Sequence, residues 1–448
     1  MTSATPDTYL IVGAGVFGAA TALELRKRLP ASRVLLLDRS PFPNPFSASS
    51  DLNKIIRADY PDPFYTGLAL AAQELWRNDA VYAPYYSQPG MLYVENQGMA
   101  QTFRANYAAL GVTPAAETLS VFEAARQRWG GLFRDAYWQG VGESLYFNPR
   151  SGWGDADGAL RSLTQAAIDA GAEHRVACVS QLILDGAEGA RRCRGVRLED
   201  GSEIHGDHVI VAAGAWTPKL LADSAPGDAA MPAGERMVAA GAIQCAARVP
   251  AEQADKLRSA PVVFNAITQG TVKKNRIWKA LMQMMRKKTG ECIPPTADGR
   301  LKFNYESSFT NYVTLESGLQ ISVPPAQGTG AAWNQDVPQT LKDEIHTVVK
   351  QTYGGWIQDL HVESYRMDAV TPNQDWIIAP HPHCQSLYIA SGGSFHSWKF
   401  MPILGRYVVK MLLGQLGADE KKRWAWDRED TGGALPEYIP KRDLKDIP

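Results

Sequence analysis

The chain has 448 residues, a formal net charge of -1 at pH 7, 45% hydrophobic and 21% charged residues. This length and composition predict a soluble globular protein of two or three domains, and the balanced charge indicates no nucleic-acid partner. No apolar run reaches the length of a membrane span, and the scattered cysteines, which form no C-x-x-C pair, indicate neither a metal site nor a disulfide framework.

The N-terminal segment carries a nucleotide-binding pattern. A hydrophobic strand precedes Gly13, Gly15 and Gly18, and a second strand, residues 33–37, ends at Asp38. In this spacing the first glycine permits a tight turn, the second lets a pyrophosphate approach the backbone, and the third lets the helix pack on the strand. The helix N-terminus attracts phosphate, and the acid accepts hydrogen bonds from a ribose diol, which disfavours NADP. The pattern predicts dinucleotide binding.

The rest of the chain alternates helices and strands. The hydrophobic patterns predict, in chain order, a helix at 66–76, a strand at 90–94, a helix at 155–170, paired strands at 175–184 and 194–198, fully apolar strands at 208–213 and 386–391, and a helix at 402–413. Fully apolar strands are typical of a parallel sheet that is covered on both faces. We therefore predict an α/β fold. Its dinucleotide domain is discontinuous (1–88, 150–232 and 360–448), and a mixed, strand-rich substrate domain is inserted (89–149 and 233–359).

Three motifs, at 13–18, 209–217 and 392–399, together resemble the FAD-dependent amine oxidases of the D-amino-acid-oxidase superfamily. The tract Asp-Leu-Asn-Lys-Ile-Ile-Arg at 51–57 is similar to fungal fructosyl amino acid oxidases (amadoriases), and the chain also resembles monomeric sarcosine oxidase. The resemblance implies a Rossmann-like, glutathione-reductase-type FAD-binding domain. It also implies a reaction in which a secondary amine loses a hydride, the imine hydrolyses and oxygen becomes peroxide.

The substrate stays open at this point. Fructosyl amino acids and N-methyl amino acids such as sarcosine fit the resemblance, and so do saccharopine, pipecolate and an N-methylated amino acid that undergoes oxidative cyclisation. A dehydrogenase that passes electrons to a protein or quinone is an alternative, and a flavin-binding relative without enzymatic activity is another. We expect oxygen and a small-molecule amine as the partners of a cytoplasmic monomer. The final residues, Lys-Asp-Ile-Pro, are not the peroxisomal tripeptide, although a peroxisomal location stays open.

The resemblance assigns catalytic roles to three cations. Lys302 is implied to lie beneath the flavin, where a fixed positive charge would favour the reduction of oxygen. The alternative for Lys302 is a solvated lysine on a strand. Arg57 and Lys399 are candidates for the substrate carboxylate, because a guanidinium fork matches a carboxylate and an ammonium adds a point charge. The alternative for this pair is two surface cations.

The residues expected to contact FAD lie in or beside the three motifs. We assign no proton-transfer role to His396. Asp59 and Tyr60 could shape the substrate pocket, and they are equally well explained as an acid at the start of a helix and a packed aromatic residue. The expected cofactor contacts are Val12, Gly13, Gly15, Val16, Phe17, Gly18, Asp38, Arg39, Ser50, Lys54, Val179, Ala213, Gly214, Trp216, Gly393, Phe395, His396, Ser397, Trp398 and Lys399.

The sequence departs from the amadoriase pattern at two places. The cysteine that holds FAD covalently in many relatives is missing between Met367 and Asp368, and Cys384 is best explained as a small buried residue, so we predict non-covalent FAD. The second departure is a basic segment at 271–292 that relatives lack. It has the pattern of a basic amphipathic helix, which is typical of membrane-surface or calmodulin-target segments. We favour a retained intron as its origin.

Overall fold

The computed structural model describes residues 6–138, 141–187, 190–249, 251–266, 290–325, 337–355, 357, 361–428 and 439–447. Within these residues the helices are α1 (Val16–Arg28), α2 (Pro63–Asn78), α3 (Met99–Ala109), α4 (Val121–Arg126), α5 (Ala156–Asp169), α6 (Thr217–Ser224), α7 (Ala251–Arg258), α8 (Gln339–Tyr353), α9 (Met401–Leu412) and α10 (Ala418–Arg423).

The strands of the first half are β1 (Thr8–Val12), β2 (Arg33–Asp38), β3 (Asn53–Ile56), β4 (Tyr86–Ser87), β5 (Met91–Glu95), β6 (Glu117–Ser120), β7 (Ser144–Asn148), β8 (Gly152–Asp155), β9 (Glu173–Val176), β10 (Val179–Asp185), β11 (Arg192–Leu198), β12 (Glu203–His205) and β13 (His208–Val211). Those of the second half are β14 (Val238–Arg248), β15 (Val262–Ala266), β16 (Gly290–Ile293), β17 (Arg300–Phe309), β18 (Tyr312–Thr314), β19 (Gln320–Ser322), β20 (His361–Val370), β21 (Ile377–Pro380) and β22 (Leu387–Ser391). The helices and strands predicted in the alternating pattern between residues 66 and 413 are present, whereas the amphipathic pattern at 271–292 lies mostly outside the described residues.

A six-stranded sheet organises the nucleotide-binding part of the molecule. Its strand order is β21-β22-β13-β1-β2-β9, and all neighbours are parallel except the edge pair of β21 and β22. The central strands are almost entirely buried, which confirms the prediction from their apolar composition. The carboxyl ends of β1, β2, β13 and β22 meet at one edge, where open α/β sheets bind their ligands.

Helix α1 packs unusually close to its neighbours because its sequence is rich in small residues. A Cβ on Gly18 would lie 1.8 Å from the carbonyl oxygen of Gly13, and a Cβ on Gly405 of α9 would lie 2.0 Å from that of Ala20. The contacts hold α1 against β1 on one side and α9 on the other, and Leu23 and Leu25 are buried among them. This packing fixes the glycine turn that leads into α1.

An eight-stranded mixed sheet forms the second layer. Its order is β20-β14-β17-β16-β15-β5-β7-β6, and α8 packs against it through Leu341, Ile345 and Val348. The last strand, β20, lies beyond the domain boundary expected at 359 and pairs with β14. The end of the basic segment is part of this sheet, because residues 290–292 begin β16, whereas 271–289 lie outside the described residues.

A small antiparallel sheet, β3-β8-β4, lies at the junction of the two larger ones. The pattern of residues 51–57 did not predict β3, whose residues pair with β8 from Asn53 opposite Asp155 to Ile56 opposite Gly152. A further three-stranded sheet, β10-β11-β12, covers the other face of the six-stranded sheet. Among the described residues, no helix combines the length and the apolar character needed to cross a membrane.

Candidate active site

One cavity of about 910 Å³ extends from the carboxyl edge of the six-stranded sheet to the face of the eight-stranded sheet. The three proposed catalytic cations, Lys302, Arg57 and Lys399, all line it. Of the predicted cofactor contacts, all except Gly18 and Ser50 line it as well. The three sequence motifs are therefore brought to one place.

The glycine turn has the shape that a pyrophosphate requires. Gly13 has a φ of +107° and a Cβ there would lie 2.5 Å from the carbonyl oxygen of Ala212, so only glycine fits. A Cβ on Gly15 would lie 2.8 Å from Oγ of Ser49, at the N-terminus of α1. At the end of β2, Asp38 accepts hydrogen bonds from the Ala14 amide (2.8 Å) and from Asn44 (2.7 Å). Donors and an acid thus lie where phosphates and a ribose would bind, and the turn fits FAD.

Two of the predicted cofactor contacts, Ser50 and Gly18, do not line the cavity. Ser50 is 2% exposed and donates a hydrogen bond to Oδ1 of Asp157 (2.7 Å), which directs it away from the cavity. Its neighbour Ser49 lines the cavity instead and accepts a hydrogen bond from the Val16 amide at 3.1 Å. Gly18 packs α1 against β1, as its spacing predicted, and touches no cavity space.

The loop after β22 is held in an unusual backbone conformation. Ser394 and Phe395 have φ values of +49° and +60°, which side-chain-bearing residues rarely adopt. The Phe395 amide donates a hydrogen bond to Oδ2 of Asp368 (2.9 Å), and the Thr371 amide donates one to Oγ of Ser394 (3.1 Å). Asp368 is half-buried, and its partial removal from water raises the pKa of its carboxyl. The contacts fix the loop that presents 395–399 to the cavity.

A buried charge cluster forms part of the cavity wall. Asp51, which is 1% exposed, accepts hydrogen bonds through Oδ2 from Nζ of Lys302 and from Nζ of Lys54 (2.7 Å). Lys302, 3% exposed, also donates to the carbonyl oxygen of Asn53 at 2.9 Å. Lys302 is therefore not a solvated strand residue, and the alternative for it is wrong.

The ionisation of this cluster follows from burial and pairing. Burial lowers the pKa of Lys302 to about 8, against the opposing charge of Asp51. Burial alone would raise the pKa of Asp51, but the ammonium groups of Lys302 and Lys54 more than offset it, and the pKa lies below its usual value.

Arg57 and Lys399 meet over the ring of Tyr60. The guanidinium carbon of Arg57 lies 4.5 Å from the ring centroid and Nζ of Lys399 lies 5.5 Å from it. Arg57 donates to the carbonyl oxygen of Asp59, and Lys399 to that of His396 (3.0 Å). Both cations line the cavity, and Lys399 is only 7% exposed, so the surface-cation alternative is wrong.

The two cations differ in how firmly they hold their protons. Burial would lower the pKa of Arg57, but Tyr93, Tyr60, Glu291 and Asp59 raise it above its usual value. Burial lowers the pKa of Lys399 well below its usual value, and the positive charge of Arg57 adds to this effect. An incoming carboxylate would therefore meet a permanent cation in Arg57, and its own negative charge would favour the protonated form of Lys399.

Asp59 is the hub of a hydrogen-bond network that the sequence did not reveal. Its carboxylate is fully buried and accepts hydrogen bonds from five side chains in distant segments. The donors are Tyr93 (3.2 Å), Tyr107 (3.2 Å), Tyr146 (2.7 Å), Asn148 (2.9 Å) and Ser151 (3.2 Å). The network fixes the backbone at Asp59, whose carbonyl oxygen holds the Arg57 guanidinium.

His396 is a neutral structural residue. Nε2 donates to the carbonyl oxygen of Gln374 (2.8 Å), so Nδ1 is the acceptor for the hydroxyl of Tyr60 (3.4 Å). Burial, together with the nearby Lys399 charge, lowers the pKa of His396 to about 3. Both ring nitrogens therefore have partners within the protein, and the assignment of no proton-transfer role to His396 stays a prediction.

The comparisons with known proteins agree with this site. Residues 8–411 match the family model described as FAD dependent oxidoreductase. The chain is 24% identical over 440 residues to the L-saccharopine oxidase of Schizosaccharomyces pombe, covering 96% of this chain and 95% of that protein. The fold is similar to a modified fructosyl peptide oxidase from Aspergillus nidulans (TM-score 0.81, 22% identity, 99% of each chain). It is also similar to the fructosamine oxidase Amadoriase II from Aspergillus fumigatus (TM-score 0.78, 21% identity, 100% of this chain and 97% of that one).

The matches confirm three predictions: the superfamily, the α/β fold with an FAD-binding part, and FAD as the cofactor. The family match extends over most of the chain. It includes every residue of the three motifs at 13–18, 209–217 and 392–399. The protein belongs to the family of FAD dependent oxidoreductases.

Proposed function

We propose that this protein is an oxidase that acts on the secondary amine of an amino acid or amino acid derivative. The amine is oxidised to an imine by loss of a hydride and a proton, and the imine hydrolyses to a carbonyl compound and a primary amine. FAD, which the glycine turn at Gly13 and Gly15 and the acid Asp38 would hold, would supply the hydride acceptor and the route of two electrons to oxygen, which leaves as hydrogen peroxide.

The observation that carries the proposal is the arrangement of cations along one cavity. The glycine turn at Gly13 and Gly15 lines this cavity, and so do Arg57 and Lys399, to which we assign the substrate carboxylate. Lys302 lies in the wall on β17, where burial would strengthen its electrostatic effect on oxygen as negative charge develops there. The three groups match the three needs of the reaction, which are binding the acid, holding the cofactor and activating oxygen.

The names of similar proteins support the same chemistry. By their names, these proteins oxidise L-saccharopine, fructosyl peptides and fructosamine. Each of these compounds carries a substituent on an amine nitrogen. We include fructosyl and N-methyl amino acids and saccharopine in the proposed substrate class. We propose non-covalent FAD, because the described residues that line the cavity include no cysteine. A monomer in the cytoplasm completes the proposal.

The test is an anaerobic screen in which bleaching of the flavin band reports substrate oxidation. We expect bleaching by secondary amines that carry a carboxylate, and one peroxide per substrate when oxygen is admitted. Arg57→Met and Lys399→Met should raise KM for such substrates by about 10-fold or more, since each removes a charged hydrogen-bond donor. Bleaching without peroxide would indicate a dehydrogenase, and a flavin that no amine bleaches would indicate a non-enzymatic flavoprotein.

A further inference from the structure

Glu291 is an acid that faces the same cavity as the cations and has no role in the proposed reaction. It lies on β16, where the register places it opposite Asn304 of β17 and Phe264 of β15, and all three residues line the cavity. In β17, Asn304 follows Lys302 by two residues, so the two point to the same face of the sheet. Glu291 therefore belongs to the wall that carries Lys302.

The carboxylate of Glu291 is only lightly engaged. It accepts one hydrogen bond, from Nδ2 of Asn304 at 3.3 Å. Among the described residues, no Lys, Arg or His nitrogen lies within 4.0 Å of it, although its charge acts on Arg57, Lys302 and Lys399. The three proposed catalytic cations are engaged elsewhere: Lys302 with Asp51, Arg57 with the Asp59 carbonyl and Lys399 with that of His396. Glu291 keeps acceptor capacity that faces the cavity.

We propose that Glu291 is a specificity-determining residue that binds an ammonium group of the substrate. The preferred substrates are then N-substituted amino acids that carry a cationic amino group besides the carboxylate and the reacting amine. The inference rests on the proposed function and narrows its substrate class. An N-(carboxyalkyl) derivative of a diamino acid has this chemistry, because its carboxylates suit Arg57 and Lys399 while its ammonium suits Glu291.

The alternative role of Glu291 is to offset the positive charge of the cavity. Burial lowers the pKa of Lys302 and of Lys399, and the negative charge of Glu291 opposes this in both. A residue that only offsets charge would affect all carboxylate substrates alike. A residue that binds an ammonium would affect only the substrates that carry one, and this difference decides the experiment.

The experiment uses two compounds that differ only in the α-ammonium group, Nε-(carboxymethyl)lysine and N-(carboxymethyl)-6-aminohexanoate. Turnover is measured as anaerobic flavin reduction. Binding is measured separately by calorimetry on the FAD-loaded protein with the corresponding thioethers, in which sulfur replaces the reacting nitrogen and no imine can form. We expect wild type to favour the ammonium-bearing member of each pair by about 10-fold or more, as for a hydrogen bond between charged groups.

Glu291→Gln should abolish the preference by weakening only the ammonium-bearing ligand, and Glu291→Asp should retain part of it. Glu252→Gln, on the exposed face of α7, is the matched control and should keep the full preference. Thermal unfolding shows whether each variant is folded. The proposal is overturned if wild type shows no preference, or if Glu291→Gln weakens both ligands equally. Should the thioether preference hold while neither amine reduces the flavin, the proposed oxidase function fails and the ammonium site stands.

Discussion

Lys302 combines a stabilising ion pair with a proposed role in oxygen reduction, and substitution separates the two. Lys302→Met keeps the length of the side chain and removes the charge. We expect flavin reoxidation by oxygen to slow by about 100- to 1000-fold, since a preorganised charge is lost, while anaerobic reduction by substrate changes little. Stopped-flow measurement of each half-reaction tests this. Equal slowing of both would show that Lys302 serves the substrate or the fold.

The same substitution leaves Asp51 buried with Lys54 as its remaining partner. Removal of one member of a buried pair costs about 3–5 kcal/mol, and we expect the low end because Lys54 stays. Denaturant unfolding of Lys302→Met and of Lys302→Met/Asp51→Asn tests this. The double variant should recover stability without recovering the oxygen rate, which separates the fold from the chemistry.

The buried side chain of His381 should make the stability of the protein depend on pH. Its Nε2 lies 3.2 Å from the Met231 carbonyl oxygen, Nδ1 accepts from the His383 amide, and burial lowers the pKa from 6.5 to about 4. The unfolded state then binds the proton more readily, so this contribution is complete above pH 6.5 and is lost as pH falls towards 4. Each pH unit in that window costs at most about 1.4 kcal/mol. Urea unfolding at several pH values should show a shallower acid slope for His381→Gln, and an unchanged slope would contradict the assignment.

At the scale of structural elements, the glycines of the turn between β1 and α1 have different roles, and substitutions should affect either FAD binding or stability. Gly15→Val should purify as a folded protein with little FAD, because the side chain enters the space expected for the pyrophosphate beside Ser49. Gly18→Ala should instead destabilise the fold, because its Cβ would lie 1.8 Å from the Gly13 carbonyl oxygen. Flavin content per protein and the melting temperature measure the two effects. Full flavin content in Gly15→Val would disprove the cofactor assignment of this turn.

The Asp59 network joins β5, α3 and β7 to the loop that carries Arg57. Tyr146→Phe removes the donor at 2.7 Å, and we expect a loss of about 1 kcal/mol in stability. If the network positions Arg57, KM for a carboxylate substrate should rise more than kcat falls, and Asp59→Asn should do so more strongly. Steady-state kinetics on FAD-loaded protein tests this, and the control substrate is a secondary amine that lacks a carboxylate. Equal losses for both substrates would indicate a general structural role.

The sequence predicted elements better than it predicted contacts between elements. The apolar runs at 208–213 and 386–391 and the glycine spacing at 13–18 act over a few residues, so they are visible in the chain. Lys302 and Asp51 are 251 positions apart, and no local pattern indicates that they pair. Glu291 was missed for a related reason, because the composition of residues 271–292 drew attention to their basic charge and away from the sheet that 290–292 enter.

At the scale of the whole molecule, the cavity exists because two sheets meet through a small third one. The six-stranded sheet supplies the glycine turn, the eight-stranded sheet supplies Lys302 and Glu291, and β3 supplies Lys54 between them. Strand β3 was not predicted because four residues that pair with a distant partner leave little periodic pattern. The charged residues that line the cavity are therefore brought together by tertiary structure. Their arrangement follows from the junction of the sheets and from no single motif.

The predicted non-covalent attachment of FAD depends on where the fold places the cysteines relative to the cavity. Cys384 lies at the far side of the six-stranded sheet, 3% exposed among Cys193, Leu387 and Trp426, and it does not line the cavity. Burial raises the pKa of its thiol to about 11, so the nucleophilic thiolate is scarce at neutral pH. Acid or heat denaturation should therefore release all FAD into the supernatant, as measured by its absorbance, and Cys384→Ser should behave identically. Yellow colour that stays with the precipitate would contradict non-covalent binding, and its loss in Cys384→Ser would identify that thiol as the attachment point.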